Sequence, residues 1–183
     1  MGIHKAIHQT HKLLVEIAYK WVLNNGRCGV AFKELHTHAT NGEHPDVIGF
    51  AGWGHSVLIE VKTSRSDFLC DKNKSFRKSP ELGMGKHRYY ICPKGLIKKE
   101  ELPTGWGLIY VDENNKPRLF HNPLIETVKD YGSYKTLYTH KHNVQAEHAF
   151  MYSALRRLHI RGRIDEIYND PSKPTSFNGL PKL

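Results

Sequence analysis

Apolar residues recur along residues 9–24 with helical spacing. Leu14, Ile17, Ala18 and Trp21 fall at i, i+3, i+4 and i+7, and Thr10 stands where an N-cap oxygen is wanted. Asn24-Asn25-Gly26 ends the stretch. Glu16 lies off the stripe, four residues from both Lys12 and Lys20, and reads as a partner in a surface ion pair. At Cys28 the pattern changes to alternation. Val30 and Phe32 share one face, which predicts a strand closing near Glu34. Glu34 would share that face, either as a solvated carboxylate at the sheet end or as part of a site.

Two apolar segments follow, His44-Pro45-Asp46-Val47-Ile48-Gly49-Phe50 and Val57-Leu58-Ile59-Glu60-Val61-Lys62, separated by Gly52-Trp53-Gly54. The turn residues predict a hairpin. On the second strand Val57, Ile59 and Val61 point to one face, and Glu60 and Lys62 to the other. So apolar a strand reads as central, where a solvated face is not expected. Long ionisable side chains there need partners or a task. If the hairpin forms, Asp46 comes close to Glu60, and two carboxylates and an amine converge, as they do where a divalent cation is held near a phosphate. The structural alternative makes Asp46 a turn residue after Pro45 and leaves Glu60 and Lys62 on an exposed face.

Beyond Lys62, residues 63–67 form a loop entering a helix over about 67–74, with Ser64 or Ser66 as N-cap and Asp67 in its first turn. Residues 80–86, with Gly83 and Gly85, read as a flexible loop. Arg88-Tyr89-Tyr90-Ile91-Cys92 is a strand closed by Pro93. A helical turn near 96–102 leads to the strand Gly107-Leu108-Ile109-Tyr110-Val111, and Pro117-Arg118-Leu119-Phe120 pairs back on it as a hairpin. Residues 122–142 are polar and poorly periodic, so no element is assigned there. Residues 143–158 form the last strong helix, with Ala146, Phe150, Ala154 and Leu158 on one stripe and Arg156, Arg157, Arg161 and Arg163 near its end. Residues 171–183 are a loose, proline-containing tail. The order is that of an α/β domain over residues 1–170, with a central mixed sheet of four to five strands flanked by helices.

Composition narrows the function. At 183 residues and 39% hydrophobic, the chain can bury the core of one domain. No apolar run approaches the ~18 residues of a membrane-spanning helix. His4, Lys5, His8 and His11 lie among polar neighbours, unlike the apolar core of a signal peptide. Cys28, Cys70 and Cys92 are far apart and form no C-x-x-C pair, which fits a reducing cytoplasm and argues against a disulfide framework or thiolate zinc site. The 27 Lys and Arg exceed 18 Asp and Glu, for a formal net charge of +9, and suggest a polyanionic partner, foremost nucleic acid. There are 13 histidines. His36, His38 and His44 would suit zinc, but they lack the ordered spacing of zinc motifs, and a polar, mobile loop is the plainer reading.

On Pro45-Asp46 and Glu60-Val61-Lys62, fourteen residues apart from Asp46 to Glu60, the chain resembles the PD-(D/E)XK nuclease superfamily, with its restriction-endonuclease-like fold. The run from Glu60 to Phe68, then Arg88-Tyr89-Tyr90-Ile91-Cys92-Pro93 and Gly107-Leu108-Ile109, is similar to the MmcB-like DNA-repair branch, over a core of about residues 10–112. The C-terminal extension, about 143–160, lies outside the likeness. The resemblance implies metal-dependent phosphodiester hydrolysis in DNA repair, recombination or phage biology. Asp46, Glu60 and the Val61 carbonyl would ligate Mg²⁺ or Mn²⁺ through hard oxygens, and Lys62 would orient or help deprotonate the attacking water, or stabilise developing charge. The superfamily often adds an acid from the first helix. Here Gln9, Thr10, His11 and Lys12 occupy that part, which leaves Glu34 as the substitute third carboxylate. DNA would lie along Arg65, Lys72, Lys74, Arg77 and Lys78, extended by Lys86 and Arg88, with Tyr89, Tyr90 and Trp53 available to stack on unpaired bases or, for the tyrosines, half-buried in the core. The alternative is a non-catalytic DNA-binding module of the same fold that recruits a partner through the C-terminal helix. The motif serves a nicking monomer and a double-strand-cutting homodimer alike.

Overall fold

A computed structural model describes residues 2–37, 41–129 and 132–168. Helix α1 (Gly2–Asn24) starts well before Thr10, because no proline or glycine interrupts residues 3–9, and it ends where Asn24-Asn25-Gly26 was expected to end it. It leads into strand β1 (Val30–Lys33), then the hairpin β2 (Val47–Ala51) and β3 (His55–Val61). At the tip, the His55 amide reaches the Gly52 carbonyl and both Trp53 and Gly54 have positive φ, a type I′ turn matched to strand twist. The helix expected over 67–74 is two short ones, α2 (Arg65–Asp71) and α3 (Ser75–Lys78), and Ser64 caps α2 by accepting from the Asp67 amide. Strands β4 (His87–Pro93), β5 (Trp106–Val111) and β6 (Pro117–His121) complete one sheet of order β1-β2-β3-β4-β5-β6.

Strands β3, β4 and β5 run parallel, and the other pairs are antiparallel. Six strands exceed the four to five expected, because the returning hairpin strand β6 joins the same sheet at its edge. Residues 122–142, where no element was assigned, hold a separate hairpin, β7 (Leu124–Lys129) and β8 (Gly132–Leu137). Helix α4 (Val144–Ile160) is capped by Asn143, whose side chain accepts from the Ala146 amide. The tail at 171–183 lies outside the described residues.

The sheet separates two cores. On one side α1 lays Leu14, Val15, Ala18, Trp21 and Val22 against Val57, Ile59, Val61, Ile91 and Ile109. At Gly49 a Cβ would collide with Val22, so the close seating of α1 requires glycine there. On the other side α2 and α4 lay Phe68, Ala146 and Phe150 against Ile48, Phe50, Leu58, Tyr90 and Leu108. Burying both faces of β3 explains its unbroken apolar run, and puts Glu60 and Lys62 under α2 and α3 rather than in water. No helix among the described residues is long and apolar enough to cross a membrane.

Candidate active site

The hairpin register pairs Val47 with Ile59, so Asp46, one residue before β2, stands opposite Glu60. Asp46 Oδ2 accepts from the Val61 amide at 2.8 Å, and its carbonyl accepts from the Glu34 amide at 2.9 Å, which ties β1, β2 and β3 together at this end. The Lys62 amide continues the ladder by donating to the Ile91 carbonyl. Asp46, Glu60 and Lys62 therefore come together at one end of the sheet. They differ in access: the Asp46 side chain is 22% exposed, those of Glu60 and Lys62 only 3% and 4%.

Glu60 is ringed by cations. Arg77 Nη2 lies 3.1 Å from its Oε1, and Lys62 Nζ and Lys74 Nζ lie 3.5 and 3.7 Å from its Oε2. None is aligned as a hydrogen bond to Glu60 among the described residues, and Arg77 Nη2 is a buried donor without such a partner. Burial pushes the Glu60 carboxyl up to about 7, with Asp46 adding to the rise and Arg77, Lys62 and Lys74 opposing it. For the Lys62 ammonium, burial alone would lower the pKa, but Glu60, Asp71, Asp67 and Asp46 outweigh it and raise it.

Sequence reasoning missed four residues here. Asp71, fully buried, accepts from Lys62, Lys74, Arg77 and Tyr90. Although burial would raise its carboxyl, Arg77 and Lys62 hold it well below the usual carboxylate range. Asp67 Oδ1 is 3.5 Å from Lys62 Nζ. The i, i+4 spacing of Asp67 and Asp71 on one helix face was the available signal. Glu43 pairs with Arg77 at 2.9 Å and accepts from the Met84 amide. His11 sits between Asp46, 3.5 Å from its Nε2, and Glu34, 3.6 Å from its Nδ1, and its hydrogen bond to Asp46 raises its pKa against the pull of burial. The first helix thus brings an imidazole where an acid was looked for.

Glu34 belongs to the rim. The strand ends at Lys33 and Glu34 turns off it with a φ of 46°, so it does not share a face with Val30 and Phe32 as expected. Glu16 is an exposed ion-pair partner, but of Lys33 on β1 rather than of Lys12 or Lys20. Two basic residues expected along DNA are turned inward. Arg77 is buried against Glu43, Glu60 and Asp71 with its guanidinium over the Trp106 ring, and Arg88 is spent on the carbonyls of Pro80, Gly83 and Gly85. Those bonds also give residues 80–86, expected to be a flexible loop, defined partners. Lys72, Lys74 and Lys78 are exposed, and Arg65 is exposed but forks onto Glu101. Tyr89 and Tyr90 are buried in the core, Tyr90 stacked on Trp106 at 4.3 Å. Trp53 is 98% exposed, but at the far end of the hairpin from Asp46.

Of the three loop histidines, the rings of His36 and His44 lie 5.2 Å apart, and His38 lies outside the described residues. Among the described residues no group of three or more His, Cys, Asp or Glu is arranged to hold a metal ion. All three cysteines are free, Cys28 and Cys92 buried and Cys70 exposed.

No family model and no curated protein matches the chain. Among solved structures, the SPO1766 protein of unknown function from Silicibacter pomeroyi is similar to it, with 17% identity and a TM-score of 0.43 over 79% of this chain and 83% of that one. So loose a likeness says nothing about what the chain does.

Proposed function

We propose that this chain is a metal-dependent DNA endonuclease built on a restriction-endonuclease-like core. The observation that carries the reading is the meeting of Asp46, Glu60 and Lys62 at one end of the sheet, with Asp46 bonded to the Val61 amide and Lys62 Nζ 3.5 Å from the Glu60 carboxylate. The element order supports it as well: a helix, an antiparallel hairpin, and a hairpin strand that continues into parallel β4 and β5.

The donor set suits a hard cation. Mg²⁺ keeps several waters and needs only one or two protein carboxylates. Asp46, Glu60 and the Val61 carbonyl would hold it, with Glu34 in reserve on the rim. A cation bound there supplies Lewis acidity and a more acidic water. Lys74, exposed on its stem with its ammonium 3.7 Å from Glu60, marks where positive charge is wanted. Lys62 keeps a compact ammonium beside Glu60, suited to orienting a water or to stabilising charge that grows on a phosphate oxygen. A planar arginine fork in its place would put charge elsewhere. Lys72, Lys74, Lys78 and the partly covered Lys86 offer contacts to a phosphate backbone around the site.

The test is incubation of the purified protein with plasmid, single-stranded and branched DNA in Mg²⁺ or Mn²⁺. Cleavage that disappears in Asp46→Ala and Lys62→Ala supports the reading, and absence of metal-dependent cleavage ends it. One observation favours the non-catalytic DNA-binding module instead: Glu60 already has three cations within 4 Å. DNA binding unchanged by EDTA and by Asp46→Ala would select that alternative.

A further inference from the structure

We propose that Asp71 is a positioning residue of this site, fixing the Lys62 ammonium beside Glu60 and, through Arg77, fixing the Glu60 carboxylate. The proposal rests on the nuclease reading above. Asp71 closes α2, and its side chain is shut off from solvent. Leaving a carboxylate there is costly unless its oxygens are satisfied, and they are. Oδ1 lies 3.2 Å from Lys62 Nζ and 2.7 Å from Lys74 Nζ, and Oδ2 accepts from Arg77 Nε and from the Tyr90 hydroxyl, both at 2.7 Å.

The four donors come from different parts of the chain: Lys62 from the end of β3, Tyr90 from β4, Arg77 from α3, and Lys74 from between the short helices. One carboxylate therefore sets where several elements meet. Its two oxygens divide the task. Oδ1 makes the shortest of the three carboxylate contacts to Lys62, the others being Glu60 and Asp67, each at 3.5 Å. Oδ2 holds Arg77, whose Nη2 reaches Glu60 at 3.1 Å and whose Nη1 reaches Glu43 at 2.9 Å. The arginine plane is further fixed by lying over Trp106, 4.5 Å from its ring centroid.

The need for such a hold follows from the lysine itself. A flexible four-carbon stem leaves an ammonium free to wander, whereas a group acting on reacting atoms must stay within about 0.5 Å of its working place. A role confined to stability would need only that charges balance. Here the same oxygen pair links both of the site's buried members, one directly and one through a rigid fork.

Asp71→Asn keeps the shape and removes the charge. In steady-state cleavage with Mn²⁺ it should lower kcat about 10- to 100-fold while KM for DNA moves less than about threefold. In a protein already carrying Lys62→Ala, the residual cleavage read over long incubations should fall by a smaller factor, because only the hold through Arg77 on Glu60 is left to lose. An undiminished loss in that background overturns the proposal. A second readout does not depend on cleavage: acylation of Lys62 by an amine-reactive reagent, followed by mass spectrometry with exposed Lys72 as reference. Labelling of Lys62 should rise severalfold in Asp71→Asn, and to a smaller extent in Tyr90→Phe, which keeps the packing and removes one donor. Should Asp71→Asn fail to fold, Tyr90→Phe decides alone. Unchanged labelling in the folded variants overturns the proposal, and labelling still reads the hold on Lys62 if the wild-type protein does not cut DNA.

Discussion

Strand β3 is polar at both ends, and the two ends are built differently. At its start, Ser56 donates to Glu147 of α4 at 2.8 Å, the Gly85 amide donates to the same carboxylate oxygen at 2.8 Å, and the Lys86 amide closes the group on the Ser56 hydroxyl at 2.9 Å. Here one oxygen of a single acid takes two neutral, aligned donors, and its other oxygen lies 3.5 Å from His142 Nε2. Beyond its other end, three buried carboxylates, Glu43, Glu60 and Asp71, face Lys62 and Arg77, with Lys74 reaching in from solvent. The first end is a clasp that docks α4 on the sheet. The second concentrates more charge than packing requires and leaves Asp46 and His11 within reach of solvent. Buried polar groups are thus not one category: completed hydrogen bonds hold α4 to the sheet, whereas Glu60, charged at close range without aligned side-chain partners, stands where the proposed chemistry would take place.

The sharpest way to break this contrast is by activity. Asp46→Ala and Lys62→Ala should each lower metal-dependent cleavage by at least about 10³-fold, measured by plasmid nicking, while Glu147→Ala leaves the rate of the folded protein unchanged. If Glu147→Ala abolished cleavage under folded conditions, the division of labour would fail. Glu147→Ala should act on stability instead. It leaves the Ser56 hydroxyl and the Gly85 amide without their acceptor, at a cost of about 2–4 kcal/mol in urea unfolding.

A third test uses pH, because the two ends respond with opposite sign. His87 and His140, which lie near the clasp and bond to the carbonyls of Tyr138 and Gly105, are pushed by burial down to about 4. The unfolded chain takes up protons at these residues from pH about 6.5 downward and the folded chain does not. Stability should therefore fall as pH drops from 6.5 toward 4. Glu60 runs the other way. Its folded carboxyl binds a proton up to about 7 rather than its ordinary 4.5, so its contribution weakens as pH rises through that window. His11, raised by Asp46, has the same sign as Glu60. Urea midpoints against pH should lose their acid limb in a His87→Asn, His140→Asn double variant and their neutral-side slope in Glu60→Gln. Swapped effects would reverse the assignment.

The smallest effect is expected at the hairpin tip. Trp53→Ser should change stability by less than about 0.5 kcal/mol and leave cleavage untouched, since the ring is almost wholly in solvent and a strand's length from Asp46. A marked loss of cleavage would mean that DNA spans the whole hairpin.

How far the chain could be read in advance depended on whether neighbours in sequence were neighbours in space. The hairpin and the meeting of Asp46 with Glu60 follow from two short apolar runs joined by a Gly-Trp-Gly turn, all local features. Arg77 did not follow. In a run with Lys72, Lys74 and Lys78 it looked like one more solvated cation, and only the non-local Glu43, Glu60 and Asp71 turn it inward. The β7–β8 hairpin escaped notice because residues 122–142 are polar and poorly periodic in sequence, and its two strands pair with each other outside the main sheet. The start of α1 was misplaced by a good capping residue, Thr10, sitting inside a stretch that simply continues helical.

The stack of Arg77 on Trp106 on Tyr90 has a practical consequence. The chain has three tryptophans, one buried beside Tyr89, one fully in solvent and one beneath the guanidinium that faces Glu60. Anything that draws Glu60 away from Arg77 changes the electric field across the Trp106 indole. With Trp53 replaced, the remaining emission comes from buried rings, and a titration with a divalent cation can be followed by intrinsic fluorescence. The fold carries its own optical probe, an indole under the guanidinium that lies 3.1 Å from Glu60.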